Sequence, residues 1–183
     1  MTVDEIFRDI SKHQLTGVMF HDQMTDYFDF LNLHGYKKMQ EYHAQEEMKG
    51  FRKIHTYFLN HFNKLVRDSS FENPKAIPEG WYEHKRQDVD VNTKRNAVKD
   101  AFNKWAKWES DTKKFYSEMY KALCDLNEIA AAQKVLCLVE DVDDELKWVE
   151  RKQIELKSTD YAVDFIIDEQ TYYFEFYKQK MCD

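Results

Sequence analysis

The sequence contains few residues that interrupt helices. Only 4 of its 183 residues are glycine and 2 are proline. Folds made of many short strands need such residues in their turns, so the composition favours long helices. The sequence contains neither the glycine pattern of a Rossmann dinucleotide site or a phosphate loop nor the Gly-x-Ser-x-Gly elbow of a serine hydrolase.

Cysteine and basic charge are scarce as well. Cys124, Cys137 and Cys182 are odd in number and form no Cys-x-x-Cys pair, so neither a disulfide framework nor a zinc site is indicated. We therefore expect reduced thiols and a cytoplasmic protein. The net charge of -7 argues against a nucleic-acid partner, because phosphate contacts need clustered Lys and Arg. No apolar run reaches membrane-spanning length and Met1–Ile10 lacks a signal-peptide core, so we expect no membrane partner.

Apolar residues recur at helical spacing over most of the chain. This pattern predicts one domain over residues 1–183 with five helices. The first helix begins at Thr2 or Asp4 and ends before Gly35, which is its C′ residue. The other helices span about 36–66, 92–126, 129–157 and 161–180. The segment of about 68–92, which contains both prolines, predicts a long crossover connection, and Trp81 and Tyr82 predict that part of it packs onto the helices. Ser158-Thr159-Asp160 predicts the break before the aromatic-rich last helix.

The segment from His43 to Gly50 carries the most specific pattern. It contains the adjacent pair Glu46 and Glu47 in a long helical segment, and Glu47 falls on the apolar face. An ionised carboxylate is costly to bury without a partner, so its position requires a reason. On the next helix Glu109 interrupts an apolar face in the same way.

This segment resembles the second-helix motif of bacterial ferritins, in which two adjacent glutamates precede a histidine by three residues. The resemblance extends from about Ser11 to Lys157 and implies an all-α, ferritin-like four-helix bundle with one long crossover and an additional C-terminal helix. It also implies a homo-oligomer and a site that binds and oxidises ferrous iron.

The residues at the implied ligand positions differ from that family. In the register set by the motif, the six positions are filled by Gln14, Glu47, Gly50, Glu109, Val142 and Glu145. A neutral amide, a glycine and a valine cannot hold two highly charged irons, so the resemblance implies a degenerate di-iron site. A bulky side chain from a neighbouring helix is expected to fill the space beside Gly50. A shift of two residues on the fourth helix would instead bring Glu140 and Asp143 to the site.

Two interpretations of the inward carboxylates remain open. Glu47 and Glu109 are either remnants satisfied by Gln14, His21, Thr112 or a lysine, or they belong to a rearranged metal site with the ligands Glu47, Glu109, Glu145 and His21. His43 is interpreted as structural, and the acidic run of residues 140–145 as a solvated face.

Three functions follow as hypotheses. The first is a ferritin-like protein without ferroxidase activity or cofactor, which serves a binding or structural role. The second is an iron or other divalent-metal protein with an unusual ligand set. The third is an interaction module that docks a protein partner through its aromatic C-terminal helix.

Overall fold

The computed structural model describes residues 1–66, 70–83, 85–86 and 89–182, and it is helical throughout its regular elements. The helices are α1 (Val3–Phe30), α2 (His34–Phe62), α3 (Val91–Asp125), α4 (Ile129–Ser158) and α5 (Val163–Cys182), with a short 3-10 turn at Glu79–Glu83. No strand occurs in the described residues, and the all-α prediction is confirmed. The predicted break at Asp68 and Ser69 and the Cys182 thiol lie outside the described part.

Side-chain caps explain where two of the helices begin. The Thr2 hydroxyl accepts a hydrogen bond from the Glu5 amide at 3.3 Å, and the Glu5 carboxylate accepts one from the Thr2 amide at 2.7 Å. This reciprocal capping box satisfies amides that the first turn of a helix leaves free. Asp90 starts α3 in the same manner by accepting from the Thr93 amide at 2.7 Å.

Asparagines rather than glycines end the first two helices. Asn32, with φ of 57°, follows α1 in the left-handed region, and Asn63, with φ of 53°, follows α2. The prediction that Gly35 ends α1 is therefore wrong, because Gly35 lies in the first turn of α2. Helix α2 ends at Phe62, four residues earlier than predicted, because Asn63 adopts the left-handed conformation. The predicted break at residues 158–160 is confirmed.

The helices pack mainly as pairs, α1 along α2 and α3 along α4, with α5 lying on α2. Two apolar clusters each draw residues from all four of the long helices. One cluster is centred on Phe28, Tyr36, Phe102 and Val149, and the other on Ile10, Phe58, Tyr116 and Val135. Between the two clusters lies a layer in which polar side chains point inward.

Helix α5 is an integral part of the core. Its residues Ile166, Tyr173 and Tyr177 are buried in the first cluster. The Tyr36 hydroxyl donates a hydrogen bond to Glu169 at 2.5 Å. Removing α5 would therefore expose core residues, so a deletion of this helix cannot separate a docking function from folding.

The connection between α2 and α3 lies against α1 where it is described. Gln23 of α1 accepts a hydrogen bond from the Ala76 amide at 2.8 Å, and Ala76 is buried. The ring of Trp81 packs edge-on against Tyr27 with centroids 5.1 Å apart, which confirms the prediction for Trp81. Tyr82 is 66% exposed, so the same prediction is wrong for Tyr82.

Candidate metal centre

Inward-facing polar residues from four helices form the layer between the two apolar clusters. Gln14 and His21 of α1, Gln40 of α2 and Glu109 of α3 each expose 2% of their surface or less. Glu47 of α2, together with His43 and Glu145, completes the layer; these three residues are half-buried. The helical spacing on each helix explains the arrangement, because positions three or four residues apart share one face.

Glu109 lies at the centre of this layer. Its Oε1 atom accepts a hydrogen bond from Nε1 of Trp105 at 2.9 Å, whereas its Oε2 atom has no partner among the described residues. Burial, and then the negative charges of Glu145 and Glu47, raise the pKa of Glu109 well above its ordinary value. A single hydrogen bond does not offset that burial, so a metal-free Glu109 favours its protonated form.

His21 is held in the form that can bind a cation. Its Nδ1 atom lies 2.7 Å from Oε1 of Gln40 and donates to that oxygen, which places the ring proton on Nδ1. Burial, and then the nearby His43, lower the pKa of His21 to about 4, so the ring is neutral at pH 7. Nε2 therefore carries a free lone pair and lies 3.9 Å from Oε1 of Glu109. A hydrogen bond from the ring nitrogen that does not bind the metal is the usual way in which proteins orient a metal-binding histidine.

Glu145 reaches the layer from α4 and pairs with His43. The Oε1 atom of Glu145 lies 2.5 Å from Nδ1 of His43, and the two side chains expose 23% and 17% of their surface. Burial raises the pKa of Glu145, but the adjacent His43 and then His21 lower it further, so the pKa lies below its ordinary value. Glu145 is thus the ionised carboxylate of the layer. His43, interpreted from the sequence as structural, is its direct partner.

Glu47 lies against α1. A Cβ atom at Gly17 would be 3.0 Å from the Glu47 carboxyl carbon, so this close approach depends on a glycine. Although part of Glu47 remains accessible, protein surrounds its carboxyl group. Burial, and then the charge of Glu145, raise its pKa to about 8.

His21, Glu109 and Glu145 form a group that could hold a metal ion. One ligand atom from each lies within 4.8 Å of the other two. Ligands bound to one ion at about 2.1 Å are separated by roughly 3 to 4 Å, so small side-chain rotations would bring the three onto a common ion. These are three of the four residues predicted as ligands. The fourth, Glu47, borders the group from α2.

The other positions of the ferritin-type register are filled by residues that cannot bind a cation strongly. Nε2 of Gln14 lies 2.9 Å from the place where a Cβ of residue 50 would be. This contact confirms the prediction that a side chain of a neighbouring helix fills the space beside Gly50. Val142 is buried at 6% exposure, so an apolar side chain occupies the corresponding position on α4.

The alternative register of α4 is wrong. Glu140 is exposed, and Asp143 pairs with Lys113 at 2.5 Å and with Lys147 at 2.6 Å. Glu145 alone of the acidic run faces the layer, so the rest of that run is a solvated face as predicted. Thr112 is not a partner of the inward carboxylates either, because its hydroxyl lies 2.9 Å from Nε2 of His13.

Sequence reasoning missed three supporting residues. Trp105, which donates to Glu109, precedes it by four positions on α3, and this spacing was a readable signal. Gln40, which orients His21, gave no local signal, because the contact joins two helices. The need for a glycine at position 17 likewise depends on how closely α1 and α2 approach.

A pocket of about 510 Å³ opens beside this layer. Its walls include Glu47 and Glu145. A larger groove of about 900 Å³ runs along α3 and α4 and is lined by residues such as Asn96, Lys99 and Gln153. That groove contains none of the layer's residues, so the smaller pocket is the one relevant to the site.

No helix in the described part of the chain combines the length and apolarity needed to cross a bilayer. No protein-family model matches the chain, and no curated protein matches it significantly.

Proposed function

We propose that this chain is a ferritin-like four-helix bundle with one crossover connection, and that it binds a single divalent transition-metal ion in place of a di-iron centre. The proposal is supported by the pairing of α1 with α2 and of α3 with α4. It is also supported by the meeting of residues from all four helices in one polar layer, as the bacterial ferritin register implies.

The orientation of His21 is the observation that carries the proposal. Its ring is buried and neutral, Gln40 fixes its proton on Nδ1, and its Nε2 atom has no hydrogen-bond partner among the described residues. Nε2 lies 3.9 Å from Oε1 of Glu109, and one ring nitrogen of His21 lies within 4.8 Å of carboxylate oxygens of both Glu109 and Glu145. One imidazole and two carboxylates are ligands suited to Fe²⁺, Mn²⁺, Co²⁺ or Zn²⁺.

The charge of the layer also favours a cation. Three carboxyl groups, Glu47, Glu109 and Glu145, converge in it, and no Lys or Arg of the described chain pairs with them. The raised pKa values of Glu47 and Glu109 reflect this crowding of like charges in addition to burial. A divalent ion would offset both effects.

The same geometry argues against two-iron chemistry. A second ion would need ligands where Gln14, Gly50 and Val142 lie, and these side chains offer no carboxylate. We therefore expect neither a bridged pair of irons nor rapid ferrous oxidation. A single ion with three protein ligands retains open coordination positions, at which it can act as a Lewis acid on a bound molecule.

Metal binding can be measured directly on the full chain. Protein purified without added metal would be stripped with a chelator and titrated with Co²⁺ by calorimetry and by its visible spectrum. We expect one Co²⁺ per chain and a loss of at least about tenfold in affinity for Glu109→Gln. Glu118→Gln, the same change at an exposed position of α3, should bind as the wild type does.

Three further measurements complete the test. Circular dichroism of both variants would show that each remains helical, so that a loss of binding reports on the site. Solution mass would test the expected homo-oligomer, and iron content in freshly purified protein would test the natural metal. Equal Co²⁺ affinity in wild type and Glu109→Gln would refute the proposal, and two bound ions per chain would refute its single-ion form.

A further inference from the structure

The pocket of about 510 Å³ lies between α2 and α4 and borders the polar layer at Glu145. Its volume falls within the range typical of small-molecule sites. Gly50 provides no side chain to fill it, and Val142 forms an apolar part of its wall. The Gln14 amide lies against Gly50, and the space beyond this amide and Val142 is open to a guest molecule.

The inner end of the pocket has one polar group that lacks a partner. Gln14 lines the pocket and is 2% exposed, and its Oε1 atom makes no hydrogen bond within the described residues. A buried amide without a partner is unfavourable, because water can no longer satisfy it. Since a carboxamide both donates and accepts, its natural complement is a hydroxyl or amide group on a guest.

One part of the pocket wall is apolar. Ile54 exposes 1% and Val142 6% of their surface, and Leu138 lies beside them. These side chains offer no hydrogen bonds, so they favour a short hydrocarbon segment over water. The guest is therefore expected to be amphipathic rather than a bare inorganic ion.

The mouth of the pocket is basic although the whole chain carries a net charge of -7. Lys53 and Lys134 line both this pocket and an adjoining groove that also contains Arg52. None of these three cations forms an ion pair with a carboxylate of the described chain. Two carboxylates lie at the same opening: Glu46, which is paired with Lys49 at 2.8 Å, and Asp141, which is exposed. Three unpaired cations around an opening with one unpaired carboxylate favour an anionic group there.

We propose that this pocket binds a small organic anion, with its carboxylate or phosphate against Lys53 and Lys134, a short apolar segment along Ile54 and Val142, and a hydroxyl or amide end at Gln14. This function goes beyond metal binding and does not require it. A metal ion beside Glu145 would strengthen anion binding, because it would neutralise the nearest carboxylates.

The test uses ω-hydroxy carboxylic acids as probes. 4-Hydroxybutanoate, 6-hydroxyhexanoate and 8-hydroxyoctanoate would be titrated by calorimetry into chelator-treated protein and into Co²⁺-treated protein, with hexanoate for comparison. We expect at least one hydroxy acid to bind to both forms, and more tightly after Co²⁺. Lys53→Gln combined with Lys134→Gln should weaken it by about tenfold. The same double change at Lys114 and Lys121, which are exposed on α3, should have no effect.

The inner contact is tested separately. Gln14→Leu should remove the preference for 6-hydroxyhexanoate over hexanoate, which we expect to be about fivefold in the wild type. Co²⁺ affinity measured on each variant keeps the two proposals distinct. Lysine-dependent acid binding without Co²⁺ binding would refute only the metal site. Co²⁺ binding without lysine-dependent binding of any of the three acids would refute the pocket proposal. Acid binding that sodium chloride of equal ionic strength reproduces would refute it as well.

Discussion

Replacing Glu47 by glutamine should make the metal-free protein less sensitive to alkaline pH. In the folded chain, burial and then Glu145 raise the pKa of Glu47 from 4.5 to about 8. In the unfolded chain the same carboxyl ionises near 4.5, so unfolding at neutral pH releases a proton. Raising the pH therefore favours unfolding until the pH passes about 8. The amide of Glu47→Gln has no proton to release.

The magnitude is best measured where the buried histidines do not titrate. Burial lowers the pKa of His13 and of His21 to about 4, so these rings add stability as the pH rises from 4 to 6.5, with the opposite sign. Between pH 6.5 and 8 they no longer contribute. At 1.36 kcal/mol per proton and pH unit, Glu47 removes up to roughly 2 kcal/mol in this window. The accessible part of its side chain makes this value an upper limit.

The assay is urea unfolding of chelator-treated protein at pH 6.5 and at pH 8. We expect the free energy of unfolding of the wild type to fall by about 2 kcal/mol more than that of Glu47→Gln. Because Glu47 also contributes to the raised pKa of Glu109, the substitution reduces that dependence in the same direction. Glu46→Gln, at a position 40% exposed, is the matched control and should follow the wild type. Wild type and Glu47→Gln that lose the same free energy, within roughly 0.5 kcal/mol, would refute the reasoning.

Three other predictions follow from the same geometry. Gly35→Ala should lower the free energy of unfolding by about 2 kcal/mol or more, because its Cβ would lie 2.4 Å from the Gln170 backbone oxygen. The control is Gly80→Ala, whose Cβ would have no atom within 4 Å. Equal urea midpoints for the two variants would contradict this packing. Nitrogen-15 spectra of metal-free protein should show His21 neutral and protonated on Nδ1 down to about pH 5, and a proton on Nε2 would contradict the assigned hydrogen bond. Gln14→Glu, Gly50→His and Val142→Glu together should raise the Co²⁺ stoichiometry from about one to about two per chain, and an unchanged stoichiometry in a folded variant would contradict the register.

The sequence predicted the helices well because their signals are local. Few glycines and prolines, helical spacing of apolar residues and the cap at Thr2 all act within one or two turns. The misplaced boundaries have a common physical cause, since Asn32 and Asn63 adopt the left-handed conformation that was assigned to glycine. Gly35 serves a distant contact instead, because the α5 backbone passes within van der Waals distance of it.

The site was predictable to the extent that it depends on which face of a helix each residue occupies. His21, Glu109 and Glu145 could be placed together in this way, and the structure brings their ligand atoms within 4.8 Å of one another. The identity of the hydrogen-bond partners was not predictable. The Gln40 contact that sets the His21 tautomer joins residues on two helices, and so does the close approach of Glu47 to Gly17; neither contact leaves a signal in the helical pattern of the sequence.

The distribution of unsatisfied groups indicates that the polar layer does more than hold the helices together. Apart from Glu145 Oε1, which pairs with His43, nine buried side-chain atoms of the described residues lack a hydrogen-bond partner, and five of them belong to Gln14, His21, Gln40, His43 and Glu109. Each such atom costs roughly 1 to 3 kcal/mol, and apolar residues of similar volume would pack a helical core at lower cost. A layer that served only to hold four helices together would gain nothing from this concentration. A cation at His21 and Glu109 and a polar guest at Gln14 would satisfy the unpaired atoms of these three residues on binding, so ligand-induced stabilisation should be largest in the variants that keep all three side chains.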